Sequence, residues 1–261
     1  MKIDKVIMSC DSKKYYFDFW EPVSKIWKLK FNIHPVLIFF GNKKESNISE
    51  EYGTVIEFKT DPNILNHIQA QWARYWYTIT EPDTTWLTSD IDMFPISKEY
   101  FINSLLNVRD DAFINLNANG DYFPACYNGG KGKTFKEVLE LPECWEDSIN
   151  EIHKESKFIN FTHTPEFFLN HEPSSSPMEN WGIDESFSCS KIKKFLDRDR
   201  IINVPRPGGF CARRLDRIDW KPENSKILSE WYNDCHSIRP YNSFYKPEID
   251  RIVDLILKSE K

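Results

Sequence analysis

Two aspartates separated by one residue, Asp90 and Asp92, offer the clearest chemistry in the sequence. They follow the apolar start of the segment Thr85–Pro95. In an extended chain, residues two apart point to the same face, so the two carboxylates would converge. Their oxygens suit Mg²⁺ or Mn²⁺, ions that can also bind a diphosphate. The pattern predicts a divalent-metal and phosphate site at Asp90 and Asp92.

A second aspartate pair with the same spacing, Asp197 and Asp199, has a different setting. It belongs to a charged run over residues 193–200, in which Lys, Asp and Arg alternate with little apolar content. Such a run is typical of a solvated surface. We therefore expect only the pair that follows an apolar strand to take part in chemistry.

The elements that must position Asp90 and Asp92 alternate between strand-like and helix-like patterns. Strands are predicted over Val6–Ser9, His34–Gly41, Thr54–Phe58 and Ala112–Leu116, and an amphipathic helix over Pro62–Ile79, with Asp61 and Pro62 as its start signal. Further helices are predicted over Thr134–Leu139, from Asp184 to about Ile192, and near the C-terminus through Ile249, Ile252, Val253 and Ile256. This order predicts an α/β fold with a mostly parallel central sheet flanked by helices and an irregular C-terminal portion.

Length and composition favour one folded domain over residues 1–261. The chain has 261 residues, 40% of them hydrophobic, which is enough to bury a sizeable core. Acidic residues exceed basic ones by 40 − 34 = 6, and no long basic run is present, which disfavours a nucleic-acid partner.

The N-terminus and the cysteines indicate the cellular compartment in which we expect the protein. The first apolar stretch is far shorter than a signal peptide core or the ~20 residues of a membrane span. The six cysteines are scattered without a C-x-x-C pair, which favours a reduced, cytoplasmic protein. We expect no membrane span.

Three features of the first half of the chain belong together: a strand that ends at Ser9, Cys10 and Asp11, an apolar second strand, and a Ser-Asp-Ile-Asp turn over residues 89–92. In these features the chain resembles the GT-A superfamily of nucleotide-sugar glycosyltransferases. It implies the GT-A-like, Rossmann-like form of the sheet, with residues 1 to about 120 binding the nucleotide sugar and residues from about 121 to 261 binding the acceptor. UDP is the carrier expected from family frequency alone.

The resemblance also implies roles for individual donor-side residues. Ser9 and Asp11 would meet the base and ribose, Asp90 would lie near the ribose or metal, and Asp92 would ligate the Mn²⁺ or Mg²⁺. Cys10 and Ser89 are expected to be donor-binding residues beside them. Arg74 matches a basic residue that steadies the donor in such enzymes. Its alternative is an ordinary surface arginine.

Matches in the second half are shorter. The turn Tyr127–Gly130 resembles one in which Gly129 and Gly130 let the backbone approach the donor sugar, although a plain loop is the alternative. Trp181, followed by Asp184 and Glu185, resembles a pattern at the acceptor side of several GT-A families. A tryptophan face can stack on a sugar ring, and a carboxylate can take the proton of an acceptor hydroxyl. The alternative for the two acidic residues is helix capping, and the sequence does not choose between them as the catalytic one.

A late loop brings His236 and Arg239 close in sequence. The resemblance implies that His236 is a further metal ligand and that Arg239 faces phosphate; a structural histidine is the alternative. The Arg-rich stretch Arg206–Arg214 would either clamp phosphate or form salt bridges with Asp216 and Asp219. No H-E-x-x-H, P-loop or G-x-G-x-x-G pattern is present, which disfavours zinc hydrolases, P-loop proteins and dinucleotide-binding enzymes.

Together these observations predict a metal-dependent glycosyltransferase, expected to be a hexosyltransferase, that moves a sugar from a nucleotide-diphosphate sugar to a glycan or other hydroxyl acceptor. Two alternatives remain at the sequence level. One is a metal-dependent phosphohydrolase or nucleotidyltransferase, which also uses paired carboxylates. The other is a non-catalytic carbohydrate-binding relic of the same fold, suggested by nine Trp and eleven Tyr.

Overall fold

The structure is a computed structural model that describes residues 1–117, 122–156, 182–209 and 211–259. The strands in these ranges are β1 Lys5–Asp11, β2 His34–Phe40, β3 Thr54–Phe58, β4 Thr85–Thr88, β5 Met93–Pro95, β6 Phe113–Asn115, β7 Asn128–Lys131, β8 Ile201–Asn203, β9 Arg214–Asp216 and β10 Asp234–His236. The α-helices are α1 Lys14–Phe17, α2 Trp20–Leu29, α3 Asn66–Trp76, α4 Lys98–Phe101, α5 Gly132–Leu139, α6 Trp145–Ser156, α7 Ile183–Lys194, α8 Asn224–Leu228 and α9 Lys246–Lys258. Short 3₁₀ helices cover Tyr77–Thr80, Asn103–Leu105, Arg198–Arg200 and Arg217–Asp219.

Among the described residues, seven strands form one central sheet in the order β3-β2-β1-β4-β7-β6-β8. Strands β3, β2, β1 and β4 are parallel, β7 is antiparallel to both neighbours, and β8 is parallel to β6. The chain moves outward from β1 to β2 and β3, then returns to place β4 on the other side of β1. The strand order therefore reverses between β1 and β4, where ligands gather in open α/β sheets.

Apolar side chains cover both faces of this sheet. Along β1, Val6 and Met8 join a core that includes residues of α2 and α9, whereas Ile7 joins a core with residues of α3, α5, α6 and α7. The uninterrupted apolar run of β2 is explained by the same geometry, because both faces of that strand are buried. The predicted fold class is confirmed.

A second, smaller sheet joins three short strands of the described chain in the order β5-β10-β9. Its register aligns Met93, His236 and Asp216 at one end, and Pro95, Asp234 and Arg214 at the other. At that second end the Asp234 carboxylate is fully buried and paired with Arg206 at 2.6 Å and with Arg214 at 3.0 Å. The salt bridges predicted between this stretch and Asp216 or Asp219 are therefore wrong for Arg206 and Arg214, because the register brings Asp234 to both guanidinium groups.

The start of α3 differs from the prediction. The helix begins at Asn66 rather than at Pro62, because Asp61 closes a separate turn: its side chain accepts a hydrogen bond from the Asn63 amide at 2.8 Å. Gln69 joins that turn to the helix by two hydrogen bonds to the Asp61 backbone, each 2.9 Å long. Beyond Trp76 the predicted helix continues only as the 3₁₀ turn Tyr77–Thr80.

Two further observations concern membrane-spanning helices and the cysteines. Within the described ranges, no helix combines the length and apolar character that crossing a membrane requires. The six cysteines all lie in those ranges as free thiols, and Cys10, Cys126, Cys189 and Cys235 are buried.

Candidate functional site

A cavity of about 310 Å³ opens at the carboxyl ends of β1 and β4. Its wall is formed by residues that are distant in sequence: the end of β1, the buried side of α3, the D-x-D turn after β4, the first turn of α7, and the ends of β9 and β10. The lining includes Ser9, Cys10, Asp11, Arg74, Asp90, Asp92, Asp184, Glu185, Arg217, His236 and Arg239. The reversal of strand order thus collects most of the sequence-predicted residues at one place.

The D-x-D segment is a turn, as in the family resemblance, rather than the extended segment that its spacing alone predicts. Strand β4 ends at Thr88, and the amide of Met93 donates to the carbonyl of Asp90 at 3.2 Å, which reverses the chain before β5. The chain must bend here because β5 belongs to the smaller sheet. Asp90 and Asp92 nevertheless both line the cavity.

Arg74 is buried and joins the two sides of the cavity. Its Nη1 is hydrogen-bonded to the Asp90 carboxylate, and its Nη2 donates to Asp184 Oδ2 at 2.7 Å. Nη1 also donates to the Ser89 carbonyl at 3.3 Å. The surface-arginine alternative is therefore wrong: α3 places Arg74 as a cation between the D-x-D turn and α7, where it compensates two carboxylates.

Asp92 lies among three basic side chains. Arg217 Nη1 donates to its Oδ2 at 2.8 Å, His236 Nε2 lies 3.6 Å from the same oxygen, and Arg239 Nη1 lies 3.7 Å from it. Burial raises the pKa of the Asp92 carboxyl, but His236, Arg217 and Arg239 together lower it further, so that pKa lies well below its usual range. The carboxylate is thus ionised at neutral pH.

His236 stands between two carboxylates. Its Nδ1 lies 3.6 Å from Asp216 Oδ2, opposite the ring nitrogen that faces Asp92. Burial raises the pKa of Asp216, but His236, the Ile218 amide and Arg214 together lower it more, so the net shift is downward. The Asp216 carboxylate can therefore hold the imidazole ring in place, as carboxylates do behind metal-binding histidines.

The donor atoms near Asp92 fit a divalent metal shared with a substrate. Among the described residues, no group of three or more His, Cys, Asp or Glu side chains forms a ready metal centre. Mg²⁺ and Mn²⁺ need fewer protein ligands when substrate phosphates complete the shell. Asp92 and His236 supply an oxygen and a nitrogen side by side, and Asp90 lines the same cavity.

Glu185 points into the cavity from the first turn of α7. Its Oε1 accepts a hydrogen bond from the Tyr122 hydroxyl, and its Oε2 accepts one from the Ala125 amide at 2.8 Å. Burial raises its pKa, the two hydrogen bonds lower it, and the nearby Asp184 and Asp90 raise it, with a net upward shift. A carboxyl with a raised pKa and a fixed position is suited to accepting a proton.

The helix that carries Asp184 and Glu185 begins at a glycine. Gly182 precedes α7 with φ of 87°, a left-handed conformation that glycine adopts at little cost. Both acidic side chains lie in the first turn, yet their hydrogen bonds go to Arg74, Tyr122 and Ala125. These bonds hold both side chains at the cavity wall, so neither residue serves only to cap the helix.

The end of β1 supplies the opposite wall. Ser9, Cys10 and Asp11 all line the cavity, and Asp11 Oδ1 accepts a hydrogen bond from the Lys13 amide at 3.1 Å. Arg239 reaches this wall, because its Nη1 donates to the Tyr16 hydroxyl at 3.0 Å and its guanidinium lies 4.9 Å from the centre of the Tyr15 ring.

Some predicted site residues do not reach the cavity wall. Gly129 and Gly130 lie in β7, buried between β4 and β6, and a Cβ at Gly130 would lie 2.9 Å from the Ala112 carbonyl. Their small size serves contacts inside the sheet. Ser89 is wholly buried behind the turn, and Trp181 lies outside the described residues.

Sequence reasoning missed Arg217, Asp216 and Tyr122. Arg217 makes its hydrogen bond to Asp92 across 125 residues of sequence. No local spacing indicates such a pairing. The signal that was present, a cluster of arginines and aspartates over residues 206–219, predicts local salt bridges instead.

Comparisons with known proteins agree with this architecture. No protein-family model matches the sequence, and a search of curated proteins found no match. Among solved structures, the apo form of the glycosyltransferase GlyE from Streptococcus pneumoniae TIGR4 is similar with 14% identity and a TM-score of 0.50, over 98% of this chain and 62% of the GlyE chain. The galactosyltransferase LgtC, in complex with donor and acceptor sugar analogs, has 10% identity and a TM-score of 0.49, over 97% of this chain and 95% of LgtC.

The likeness to GlyE concerns the fold. This chain spans less than two thirds of the length of GlyE, and the two sequences share few residues. The central sheet and its flanking helices therefore have the GT-A-like architecture that the sequence predicts.

Proposed function

We propose that this protein is a glycosyltransferase that moves a sugar, expected to be a hexose, from a nucleotide-diphosphate sugar to the hydroxyl group of a glycan or other acceptor. One observation carries the proposal. A single cavity at the reversal point of a GT-A-like sheet contains the D-x-D turn, basic side chains and an acidic pair. These are the groups that transfer from a nucleoside diphosphate requires. UDP is the default carrier by family resemblance alone.

The donor would lie between the end of β1 and the D-x-D turn. Ser9 and Asp11, which line the cavity, would meet the base and ribose, and Arg217 and Arg239 would bring positive charge to the diphosphate side. Asp92 and His236, with Asp90 nearby, would hold Mn²⁺ or Mg²⁺. When bound, such an ion supplies Lewis-acid stabilisation of the departing nucleoside diphosphate, which lowers the activation free energy by several kcal/mol.

The acceptor would approach from the side of α7. Glu185 is the better base of the acidic pair because Asp184 is committed to Arg74, whereas Glu185 has the raised pKa. In an inverting reaction Glu185 accepts the proton of the acceptor hydroxyl as that oxygen attacks the anomeric carbon. In a retaining reaction the same carboxylate orients the acceptor. Arg74 would hold both carboxylates of its cluster in place.

The test is release of nucleoside diphosphate from UDP-, GDP-, dTDP- and CDP-sugars in the presence of Mn²⁺, with and without mixed sugar acceptors. The proposal expects release from one nucleotide class, stimulated by an acceptor and lost in Asp92→Asn. Asp197→Asn is the matched control, because it removes a carboxylate from the exposed D-x-D. Nucleotide hydrolysis without sugar release would favour a phosphohydrolase, and donor binding without turnover would favour a carbohydrate-binding relic.

A further inference from the structure

Arg217 pairs with Asp92, a residue that is proposed to hold the metal ion. It follows the last residue of β9, and the register of the small sheet sets Asp216 beside His236 and His236 beside Met93. Asp92 is therefore held next to Arg217 by the backbone, and the amide of Ser237 fixes it further by donating to the Asp92 carbonyl at 2.9 Å.

Two groups converge on one oxygen of Asp92. Arg217 Nη1 is 2.8 Å from Oδ2, and His236 Nε2 is 3.6 Å from the same atom. A divalent ion held by Asp92 and His236 would draw on that same oxygen. The ion and the guanidinium group would then be two cations within a few ångströms, in a place where little water screens them. Each cation would therefore weaken the hold of the other on Oδ2.

A guanidinium group that leaves Asp92 needs another anion. In the described part of the chain, Asp92 is the carboxylate with which Arg217 pairs, and the Arg217 side chain is only 15% exposed. A charge so little solvated is costly without a partner. The planar fork of an arginine matches two phosphate oxygens, so a diphosphate entering beside the metal offers the replacement.

We propose that Arg217 exchanges anionic partners during donor binding, pairing with Asp92 in the free protein and with the donor diphosphate once a divalent ion takes Asp92. This inference rests on the proposed function, since it assumes a nucleoside diphosphate donor. It assigns to Arg217 a diphosphate-binding role. It also couples the two ligands: the metal frees Arg217 for the phosphates, and the phosphates free Asp92 for the metal, so each tightens binding of the other.

The exchange predicts effects of opposite sign in Arg217→Gln. Without the competing guanidinium group, Mn²⁺ alone should bind more tightly, by about threefold or more. UDP, or whichever nucleoside diphosphate the unmodified protein prefers, should bind about tenfold more weakly in saturating Mn²⁺, because a charge-assisted hydrogen bond is lost. Isothermal titration calorimetry measures both affinities directly and does not depend on turnover.

Two further variants control the experiment. Arg109→Gln breaks an exposed pair with Asp111 outside the cavity and should change neither affinity. Arg217→Lys keeps a cation near Asp92 but loses the fork, so Mn²⁺ should bind as in the unmodified protein and the nucleoside diphosphate more weakly. If Arg217→Gln does not fold, judged by its thermal transition, Arg217→Lys carries the test.

The outcomes separate the two proposals. Weaker or unchanged Mn²⁺ binding in Arg217→Gln, or unchanged nucleoside diphosphate binding in both Arg217 variants, would overturn the exchange while leaving the glycosyltransferase proposal standing. If the unmodified protein, well folded, binds no nucleoside diphosphate with Mn²⁺, the proposed function fails and the exchange fails with it.

Discussion

Single side chains in the cavity divide into those that compensate charge and those that are available for chemistry. Arg74 ties Asp184 to Asp90, and Arg217 pairs with Asp92. In the described part of the chain, Glu185 instead accepts hydrogen bonds from two neutral donors, the Tyr122 hydroxyl and the Ala125 amide. A carboxylate whose donors are neutral keeps more of its basicity than one paired with a cation, so transfer should depend most on Glu185.

Replacement of this carboxylate tests that assignment. In Glu185→Gln the amide oxygen can still accept from Ala125, so the fold should persist, but the side chain can no longer take a proton. Transfer should fall by about 10²–10⁴-fold, the usual contribution of a positioned acid or base. Steady-state rates together with the thermal transition give both quantities. A rate within about threefold of the unmodified protein would rule out a base role for Glu185, since removing such a group cannot be that mild.

The raised pKa of Glu185 predicts the pH dependence of transfer. A base must be ionised, so kcat/KM should fall as the pH drops through the folded-state pKa of this residue, and the fall should begin above the usual glutamate range near about pH 4.3. The profile of the unmodified protein, measured where the thermal transition shows it folded, checks this. An acid limb at or below the ordinary glutamate value would contradict the assignment.

The raised pKa of Glu185 should also make the free energy of unfolding depend on pH. Its contribution to stability should be largest at low pH, where the transfer rate is lowest. A carboxyl whose folded-state pKa is raised contributes stability at pH values below its unfolded pKa, and this contribution is lost as the pH rises through the folded-state pKa. The stability difference between the unmodified protein and Glu185→Gln should therefore change across that window.

Among the structural elements, the small sheet depends on one buried ionic cluster. Asp234 in β10 is fully buried and receives hydrogen bonds from both Arg206 and Arg214. Burial raises the pKa of Asp234, but the two arginines lower it further, so it stays ionised in the folded protein. Because this strand also carries His236, loss of the cluster would loosen the cavity wall.

We expect Asp234→Asn to destabilise the fold by about 3–5 kcal/mol, since it leaves two guanidinium groups buried with too little compensating charge. Urea denaturation followed by circular dichroism measures the change. Asp83→Asn is the matched control: its pair with Lys133 is exposed and screened by water, so the free energy of unfolding should hardly change. Equal effects in the two variants would contradict the structural role of the cluster.

Strands with long apolar runs could be predicted from the sequence, and short ones could not. His34–Phe40 is recognisable because both of its faces are buried. By contrast, β5, β9 and β10 have three residues each, too few for any period, and they pair only because distant parts of the chain meet. The segment turns at Asp90 because β5 joins that second sheet. Its local pattern contains no sign of this pairing and therefore predicts an extended chain.

The same contrast holds for the site. The residues to which the sequence and the family resemblance assign metal or catalytic roles all line one cavity, and those roles stay predictions: Asp90, Asp92, Asp184, Glu185 and His236. Arg217 could not be assigned, because its partner is 125 residues away and its nearer neighbours offered equally plausible carboxylates. Long-range ion pairs are set by the fold, and a single sequence records them poorly.

On the scale of the whole molecule, the cavity joins both halves of the chain. The end of β1, helix α3 and the D-x-D turn come from the first half, whereas α7 and the ends of β9 and β10 come from the second. Arg74 and Arg217 cross that division through their ion pairs with Asp184 and Asp92. A donor that contacts residues from both halves should therefore raise the free energy of unfolding of the whole chain.

The measurement that tests the central claim most directly is the thermal transition of the purified protein against UDP-, GDP-, dTDP- and CDP-sugars, with and without Mn²⁺. A donor at about 100 times its Kd should add about 2.7 kcal/mol of stability. We predict a Mn²⁺-dependent rise in Tm with one nucleotide class, absent in Asp92→Ala and preserved in the control Asp197→Ala. No rise with any donor, in a sample that unfolds cooperatively, would contradict the nucleotide-sugar account.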